Sequence, residues 1–181
     1  DVRKLIDSEF NDEWRGLILI AAHTGLRMGD VLSLSRKSIE DTGIVIRPKK
    51  TKRSNSTIRI PMTPPVMAWI GKKKGAFFPD LSKRRTSTHS TNFPRIMMTV
   101  GVNREVILPG GIEARRSFHS LRHSFTCWLA ETDVHSDIRR KLTGHESAGV
   151  HALYGHHDES LNKAIKERPD LSPDPPAGRI A

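Results

Sequence analysis

The chain has very little cysteine, few aromatic residues and no long apolar run. Cys127 is the only cysteine among 181 residues, so an internal disulfide is excluded and nothing indicates an oxidising compartment. No stretch approaches the roughly 20 apolar residues that a membrane-spanning helix needs. The N-terminal DVRKLIDSEF has neither the layout of a signal peptide nor a starting methionine. These absences favour an intracellular protein and predict that the chain is part of a longer one.

Acidic residues are also in short supply, since 20 Asp and Glu face 30 Lys and Arg. The resulting formal net charge of +10 favours a polyanionic partner, and nucleic acid is the first candidate. A basic surface that is merely well solvated is the alternative. The length suits one well-cored domain, or two small lobes that share a cleft.

Hydrophobic periodicity predicts helices and a hairpin in the first third of the chain. The segment FNDEWRGLILIAAHTG has the spacing of a helix, with Asn11 or Asp12 as its N-cap and Gly25 at its end. A short helix follows, with Met28 and Val31 on its apolar face. The segments GIVIRP and STIRIP alternate like paired strands, so they predict a hairpin with a long basic tip.

The rest of the chain is predicted to be mainly helical. A helix is expected after Pro64 and Pro65, another over residues 92–100, and two more in SLRHSFTCWLA and SDIRRKLTG. Residues 71–90 have the composition of a surface connection. The Pro-rich residues 169–181 predict a flexible tail.

The only tyrosine, Tyr154, lies in LTGHESAGVHALYGHH among four histidines. A zinc site is disfavoured, because His145 and His151 are six residues apart where a metal-binding helix needs four, and Cys127 has no CxxC partner. A serine nucleophile would lack the GxSxG elbow. TGLRMGD matches neither a Walker A loop nor a dinucleotide fingerprint. The remaining interpretation makes Tyr154 a nucleophile toward a phosphodiester.

That chemistry needs fixed positive charge, because a phenol with a pKa of about 10 is a poor nucleophile. Guanidinium groups suit the task, since they offer several donors in a rigid fork. A helix that includes HSLRHSF would make His119 and Arg122 neighbours, away from its apolar stripe. In HTGLRMGD, Gly25 ends one helix and Arg27 begins the next, with Asp30 close enough to orient it. Either arginine alone would be typical of a solvated surface residue.

Together these motifs resemble those of the tyrosine recombinase family, which includes the phage integrases. TGLRMGDVLSL resembles the family's first arginine box, HSLRHSF its His-x-x-Arg-His box, and LTGHES followed by ALYGH its Leu-Gly-His and tyrosine boxes. The nine-residue step from His145 to Tyr154 is also the family's. Each box alone is weakly specific, but four in this order are a strong signal. The similarity extends from about Phe10 to about Ile165.

The resemblance implies a role for each matching residue. Arg27 and Arg122 would clamp the scissile phosphate, with His119 beside them as a donor or proton-transfer group. His145 would donate to a non-bridging oxygen, and Tyr154 would attack the phosphorus.

The family also uses a lysine on a β-hairpin to protonate the leaving 5′ oxygen. Lys50, which precedes Thr51, resembles that lysine most, and Lys49 and Lys52 remain alternatives. The second histidine of its box, His123, is expected to be structural. The resemblance implies no metal ion, cofactor or ATP.

The fold implied by the resemblance is α+β and predominantly helical, with a small antiparallel sheet near residues 32–62. This is the catalytic-domain fold of the DNA breaking-rejoining enzymes. Residues 1–168 would form the catalytic domain, followed by the tail at 169–181, and the upstream core-binding and arm-binding domains are absent from this chain.

The implied activity is that of a site-specific recombinase, which cleaves and rejoins DNA through a 3′-phosphotyrosine to integrate or excise a phage or other mobile element. A non-catalytic DNA-binding module of the same fold and type IB topoisomerase-like strand relaxation are the alternatives. The expected partners are double-stranded DNA, other copies in a tetramer on paired sites and, as an option, DNA-bending proteins, but no membrane. The expected location is the nucleoid in the cytoplasm of a bacterial or phage-infected cell. The segment SLNKAIKERPDL would dock on a neighbouring protomer or pack on its own domain.

Overall fold

The computed structural model describes residues 1–8, 11–41, 43–47, 57–108, 110–132, 134–136, 138–139, 162–165 and 167–168. The α-helices whose bounds lie within these ranges are α1 (Val2–Asp7), α2 (Asp12–Thr24), α3 (Met28–Val31), α4 (Pro64–Ile70), α5 (Thr86–Thr99) and α6 (His119–Ala130). The strands are β1 (Ile39–Glu40), β2 (Gly43–Ile46), β3 (Ile58–Pro61), β4 (Glu105–Leu108) and β5 (Ile112–Arg115). The predominantly helical α+β class predicted from the sequence is therefore confirmed.

Helix α2 is the centre of the molecule. The Asn11 side chain accepts a hydrogen bond from the Glu13 N–H at 2.8 Å, so Asn11 is the N-cap. All residues from Gly16 to Thr24 are buried, and α1, α4 and α6 pack around the helix. Such a helix, buried on several sides, can position the residues that follow its C-terminal end.

The predicted hairpin is formed by β2 and β3, which pair antiparallel with Ile44 opposite Ile60. Ile46 pairs with Ile58, and all four isoleucines are buried, so this face of the sheet lies against the core. The short β1 extends the sheet in the order β1-β2-β3, which the periodicity did not predict because two residues are too few to show alternation. The basic hairpin tip lies outside the described residues.

Helix α4 packs against α2 through the side chain of Trp69. Trp69 stacks on Phe78 with ring centroids 5.5 Å apart, and its Nε1 donates to Asp12 at 3.0 Å. On the α2 side, a Cβ added to Gly16 would lie 2.0 Å from the Trp69 ring. Glycine is therefore required at this helical position, because any side chain would displace the indole.

Helix α5 begins six residues earlier than the sequence predicts, at Thr86 instead of residue 92. Its buried stripe consists of His89, Phe93 and Met97, at i, i+4 and i+8. His89 is buried as part of the core, with Nε2 2.7 Å from the carbonyl of Leu81. The predicted surface connection over residues 71–90 was therefore wrong in its last turn, because a satisfied core histidine replaces the apolar residue that periodicity looks for.

A second hairpin, formed by β4 and β5, was not predicted. Gly110 and Gly111 both have positive φ values, 86° and 77°, at its turn. Ile107, Leu108 and Ile112 are exposed near the tip. The strands lack the buried alternation that a sequence search detects, since most of their side chains are exposed.

The described residues that follow α6 return to the same core. Residues 162–165 are helical, and Ala164 and Ile165 are buried in the hydrophobic cluster that α2 and α6 share. Residues 162–165 of SLNKAIKERPDL thus pack on their own domain, and docking of this segment on a neighbouring protomer stays a prediction. None of the helices in the described ranges combines the length and apolar character needed to cross a membrane.

Candidate active site

The turn that follows α2 positions the first predicted arginine. Gly25 has a left-handed backbone conformation, with φ 65° and ψ 12°, and its N–H donates to the Ala21 carbonyl at 2.9 Å. The Leu26 N–H donates to Thr24 Oγ1 at 3.3 Å. Arg27 then has extended backbone angles as the N-cap of α3, and its side chain is half-buried. The turn therefore fixes where the Arg27 backbone leaves the core.

The second predicted arginine, Arg122, is buried on α6, with 7% of its surface exposed. Its Nη1 donates to the carbonyl of Gly25 at 2.6 Å, a bond that spans 97 residues of sequence. Burial and, secondarily, the Arg27 cation lower the pKa of Arg122 to about 10, while Asp30 opposes the shift. At neutral pH Arg122 is still a cation, held beside a second cation in a partly desolvated position.

A pocket of about 130 Å³ connects these groups. Three of the six predicted site residues, Arg27, His119 and Arg122, line it together. His119 is exposed at the first position of α6 and contacts His123 edge to face, with ring centroids 4.8 Å apart. The remaining lining residues are Leu26, Met28, Ser90 and Phe118. A small pocket with two guanidinium groups and an imidazole suits an anion with several acceptor oxygens, such as a phosphate.

Asp30 is buried close to both arginines, with 5% of its surface exposed. The sequence predicted that it orients Arg27. In the structure its carboxylate acts electrostatically on Arg122, where it favours the charged guanidinium. A single buried carboxylate beside two arginines leaves the local charge positive.

The other predicted site residues lie outside the described residues: Lys50 with its alternatives Lys49 and Lys52, His145, and Tyr154. Their roles remain predictions. Within the part of the chain that is described, no group of three or more His, Cys, Asp or Glu residues is arranged to hold a metal ion.

One pocket residue was missed from the sequence. Ser90 lies on α5, where its Oγ donates to the Thr86 carbonyl at 3.1 Å and is 4.0 Å from the Met28 sulfur. Because residues 71–90 were interpreted as a connection, no helix was available to direct Ser90 toward the arginines. The serine itself carries no sequence signal that separates it from its many Ser and Thr neighbours.

Gly25→Ala is expected to lower the free energy of unfolding by about 2–5 kcal/mol. The left-handed backbone disfavours any residue with a Cβ, and a Cβ at Gly25 would lie 2.4 Å from Cδ1 of Phe125. The matched control is Gly101→Ala, because Gly101 has a similar φ of 67° but no described atom within 4 Å of the added Cβ. Urea unfolding of both variants checks this, and equal losses would contradict the packing argument.

Known proteins resemble this chain in both sequence and fold. The model of the family described as the phage integrase family matches residues 4–160. Tyrosine recombinase XerD of Chlorobaculum tepidum is 26% identical over 150 residues, which are 78% of this chain and 48% of the relative. The chain spans about half the length of the curated relatives that it matches.

Two solved structures illustrate the likeness in fold. The integrase of mycobacterium phage Brujita superposes with a TM-score of 0.69 and 21% identity, covering 91% of this chain and 54% of that one. A lambda integrase dimer bound to a COC′ core site gives a TM-score of 0.58 and 20% identity, covering 81% of this chain and 54% of that one. The catalytic-domain fold predicted from the sequence is confirmed.

Proposed function

The chain belongs to the phage integrase family, and from that premise we propose that it is the catalytic region of a site-specific DNA recombinase. The observation that carries the proposal is the buried Arg122, held by the Gly25 carbonyl in a small pocket that Arg27 and His119 also line. Burying a guanidinium next to a second cation is unfavourable for folding, and strongly perturbed charged groups of this kind cluster at functional sites.

The proposed reaction is transesterification on a DNA backbone. Tyr154 Oη forms a bond to phosphorus and the bond from phosphorus to the 5′ oxygen breaks. The phenolic proton passes to a base, for which the imidazole of His119 is the candidate, and the 5′ oxygen receives a proton from Lys50. The products are a 3′-phosphotyrosine and a free 5′ hydroxyl, so the bond energy is conserved and a second 5′ hydroxyl can reseal the strand. The reaction requires no metal ion and no ATP, because fixed cations stabilise the charge that develops on the phosphate.

Each cation has a separate task in this reaction. Arg27 and Arg122 bind the non-bridging oxygens, to which His145 also donates. Lys50 protonates the leaving 5′ oxygen. His119 is exposed at the pocket rim, where its imidazole can donate to the phosphate or transfer a proton.

The proposed partner is double-stranded DNA, bound by a tetramer that pairs two sites. The net charge of +10 supports a polyanionic partner. The DNA-bound lambda integrase dimer has the same fold and supports this choice. The role we propose is integration or excision of a phage or other mobile element in the cytoplasm of a bacterial or phage-infected cell, with DNA-bending proteins as accessory factors.

The decisive experiment traps the covalent intermediate. The 181-residue chain is incubated with a pool of nicked duplexes of randomised sequence, with EDTA present and ATP omitted, so that the cleaved fragment diffuses away and the adduct persists. Denaturation, digestion and mass spectrometry then identify the modified peptide, and sequencing of the attached DNA gives the site. A DNA-linked peptide that contains Tyr154 is expected; DNA binding without any adduct would make the chain a non-catalytic module.

The histidines of α6 offer a matched pair of variants. His119→Ala is expected to reduce the rate of adduct formation by about 10²-fold, because His119 lines the arginine pocket and acts on the proton or the phosphate. His123→Ala should stay within about threefold of wild type, since His123 lies one turn further along the helix and contacts His119 only by its ring. Single-turnover rates on one trapped sequence check both, and a larger loss at His123 would reverse the two roles.

A further inference from the structure

We propose that Arg168 is a positioning residue, which holds the turn after α2 so that Arg27 and the Gly25 carbonyl keep their places in the arginine pocket. Its effect on DNA cleavage rests on the function proposed above, whereas its effect on the turn does not.

Arg168 completes the C-terminal end of α2. Its Nη2 donates to the carbonyl of Ala22 at 2.6 Å. Ala22 belongs to the last turn of the helix, and the Leu26 N–H that would continue the helical ladder donates to Thr24 Oγ1 instead. A guanidinium at this carbonyl supplies the missing donor, and its charge complements the negative end of the helix dipole.

The same guanidinium joins α2 to α6. Its Cζ lies 4.9 Å from the ring centroid of Trp128 and 5.4 Å from that of Phe125. Phe125 is also the ring that closes over Gly25, where an added Cβ would lie 2.4 Å away. Arg168 therefore packs on the ring of Phe125, which supports the turn, and also binds the carbonyl of Ala22, which precedes the turn.

Arg168 is held firmly enough to act in this way. Its burial lowers the pKa to about 10, so the group is a cation at neutral pH. Its Nη1 is also shielded from solvent, on the side of the guanidinium next to the Nη2 that donates to Ala22. The buried Ala164 and Ile165 anchor the segment that carries it.

Two arginines thus form hydrogen bonds to the two ends of one turn. Arg168 binds the carbonyl of Ala22, and Arg122 binds the carbonyl of Gly25, three residues later. Loss of the hydrogen bond from Arg168 to Ala22 lets the turn move. Small displacements of catalytic groups reduce the rate of the chemical step strongly. Because the half-buried Arg168 is engaged with a backbone carbonyl and two rings of its own domain, its removal should change the cleavage rate more than the affinity for DNA.

The test compares Arg168→Ala and Arg168→Lys with Lys163→Ala, an exposed cation of the same segment that forms only a long ion pair with Glu167. Hydrogen exchange of the Gly25 and Leu26 amides is measured on the 181-residue chain, with the β2–β3 amides as internal reference. Single-turnover cleavage is measured at saturating DNA, using a sequence recovered from the adduct pool.

In Arg168→Ala, exchange at Gly25 and Leu26 should rise about tenfold relative to the β2–β3 amides. Cleavage should slow by about 10- to 100-fold with unchanged DNA affinity. Added guanidinium ion, which fits the vacated space, should restore part of the rate. Arg168→Lys should lie between wild type and the alanine variant, because an ammonium reaches one carbonyl but stacks less well on the rings. Lys163→Ala should match wild type.

Several outcomes would overturn the proposal. Wild-type exchange at Gly25 and Leu26 in Arg168→Ala would do so, as would an equal rise at the reference amides, which would indicate a general contribution to stability. If exchange at the turn rises in Arg168→Ala but cleavage does not slow, Arg168 has no role in positioning the catalytic groups. If wild type forms no adduct, the proposed function has failed, and the exchange measurement alone then decides whether Arg168 positions the turn.

Discussion

Tyr154→Phe is expected to reduce the covalent protein–DNA adduct by at least about 10³-fold. The change removes one oxygen atom and leaves the net charge as it was, so the phosphate contacts that dominate DNA affinity persist. Affinity should therefore stay within about twofold of wild type in a salt titration. The separation of binding from chemistry makes this variant the most direct test of the nucleophile.

The control for Tyr154→Phe is the chemical identity of the linkage. A phosphotyrosine survives dilute alkali, a phosphoserine is lost by β-elimination, and a phosphohistidine is hydrolysed in acid. If the phenylalanine variant forms as much adduct as wild type, one of the neighbouring serines or histidines is the nucleophile. If neither protein forms adduct while both bind the DNA, the chain binds without catalysis. Plasmid relaxation without exchange between two duplexes would favour the topoisomerase alternative.

Local patterns predicted the elements that carry the arginines. Helix α2 begins after Asn11 and ends at Gly25, as the sequence pattern predicted, because caps depend on a few adjacent residues. The β2–β3 pair and α6 were predicted for the same reason, because each buries one regularly spaced face. Arg27 and His119 lie at the ends of such elements, so their position followed once those ends were known.

The environment of Arg122 could not be predicted in the same way. Taken alone, an arginine in so basic a chain is typical of a solvated surface. In the structure Arg122 is buried because Gly25, 97 residues earlier, presents its carbonyl to it. Arg168 is a stronger case, since its partner Ala22 lies 146 residues earlier and no motif marks either residue. Contacts between distant segments decide which cations leave the solvent, and periodicity has no access to them.

The largest effect among the described residues is expected from Arg122→Met. Methionine has a similar length and no charge, so it fills the space on α6 while removing the N–H donors that Arg122 offers to the phosphate. Loss of electrostatic stabilisation of the transition state should slow single-turnover cleavage by about 10²–10³-fold. Arg95→Met, an exposed arginine on α5, is the matched control and should cleave at the wild-type rate at saturating DNA.

The stability of Arg122→Met separates function from folding. The variant loses the hydrogen bond to the Gly25 carbonyl, which disfavours the folded state. It also removes a cation whose lowered pKa shows that burial and Arg27 oppose its charge, which favours the folded state. These effects act in opposite directions, so the urea midpoint should change much less than the cleavage rate.

Arg122→Lys distinguishes the geometry of the guanidinium from its charge. A lysine ammonium restores the positive charge, but all three of its N–H donors belong to a single nitrogen atom. It therefore cannot keep the Gly25 carbonyl and also present a flat pair of N–H groups to a phosphate. The lysine variant should cleave at least about tenfold more slowly than wild type, although its net charge is unchanged. If it cleaves at the wild-type rate, charge alone is sufficient, and the bond that holds Arg122 to the turn has no part in catalysis.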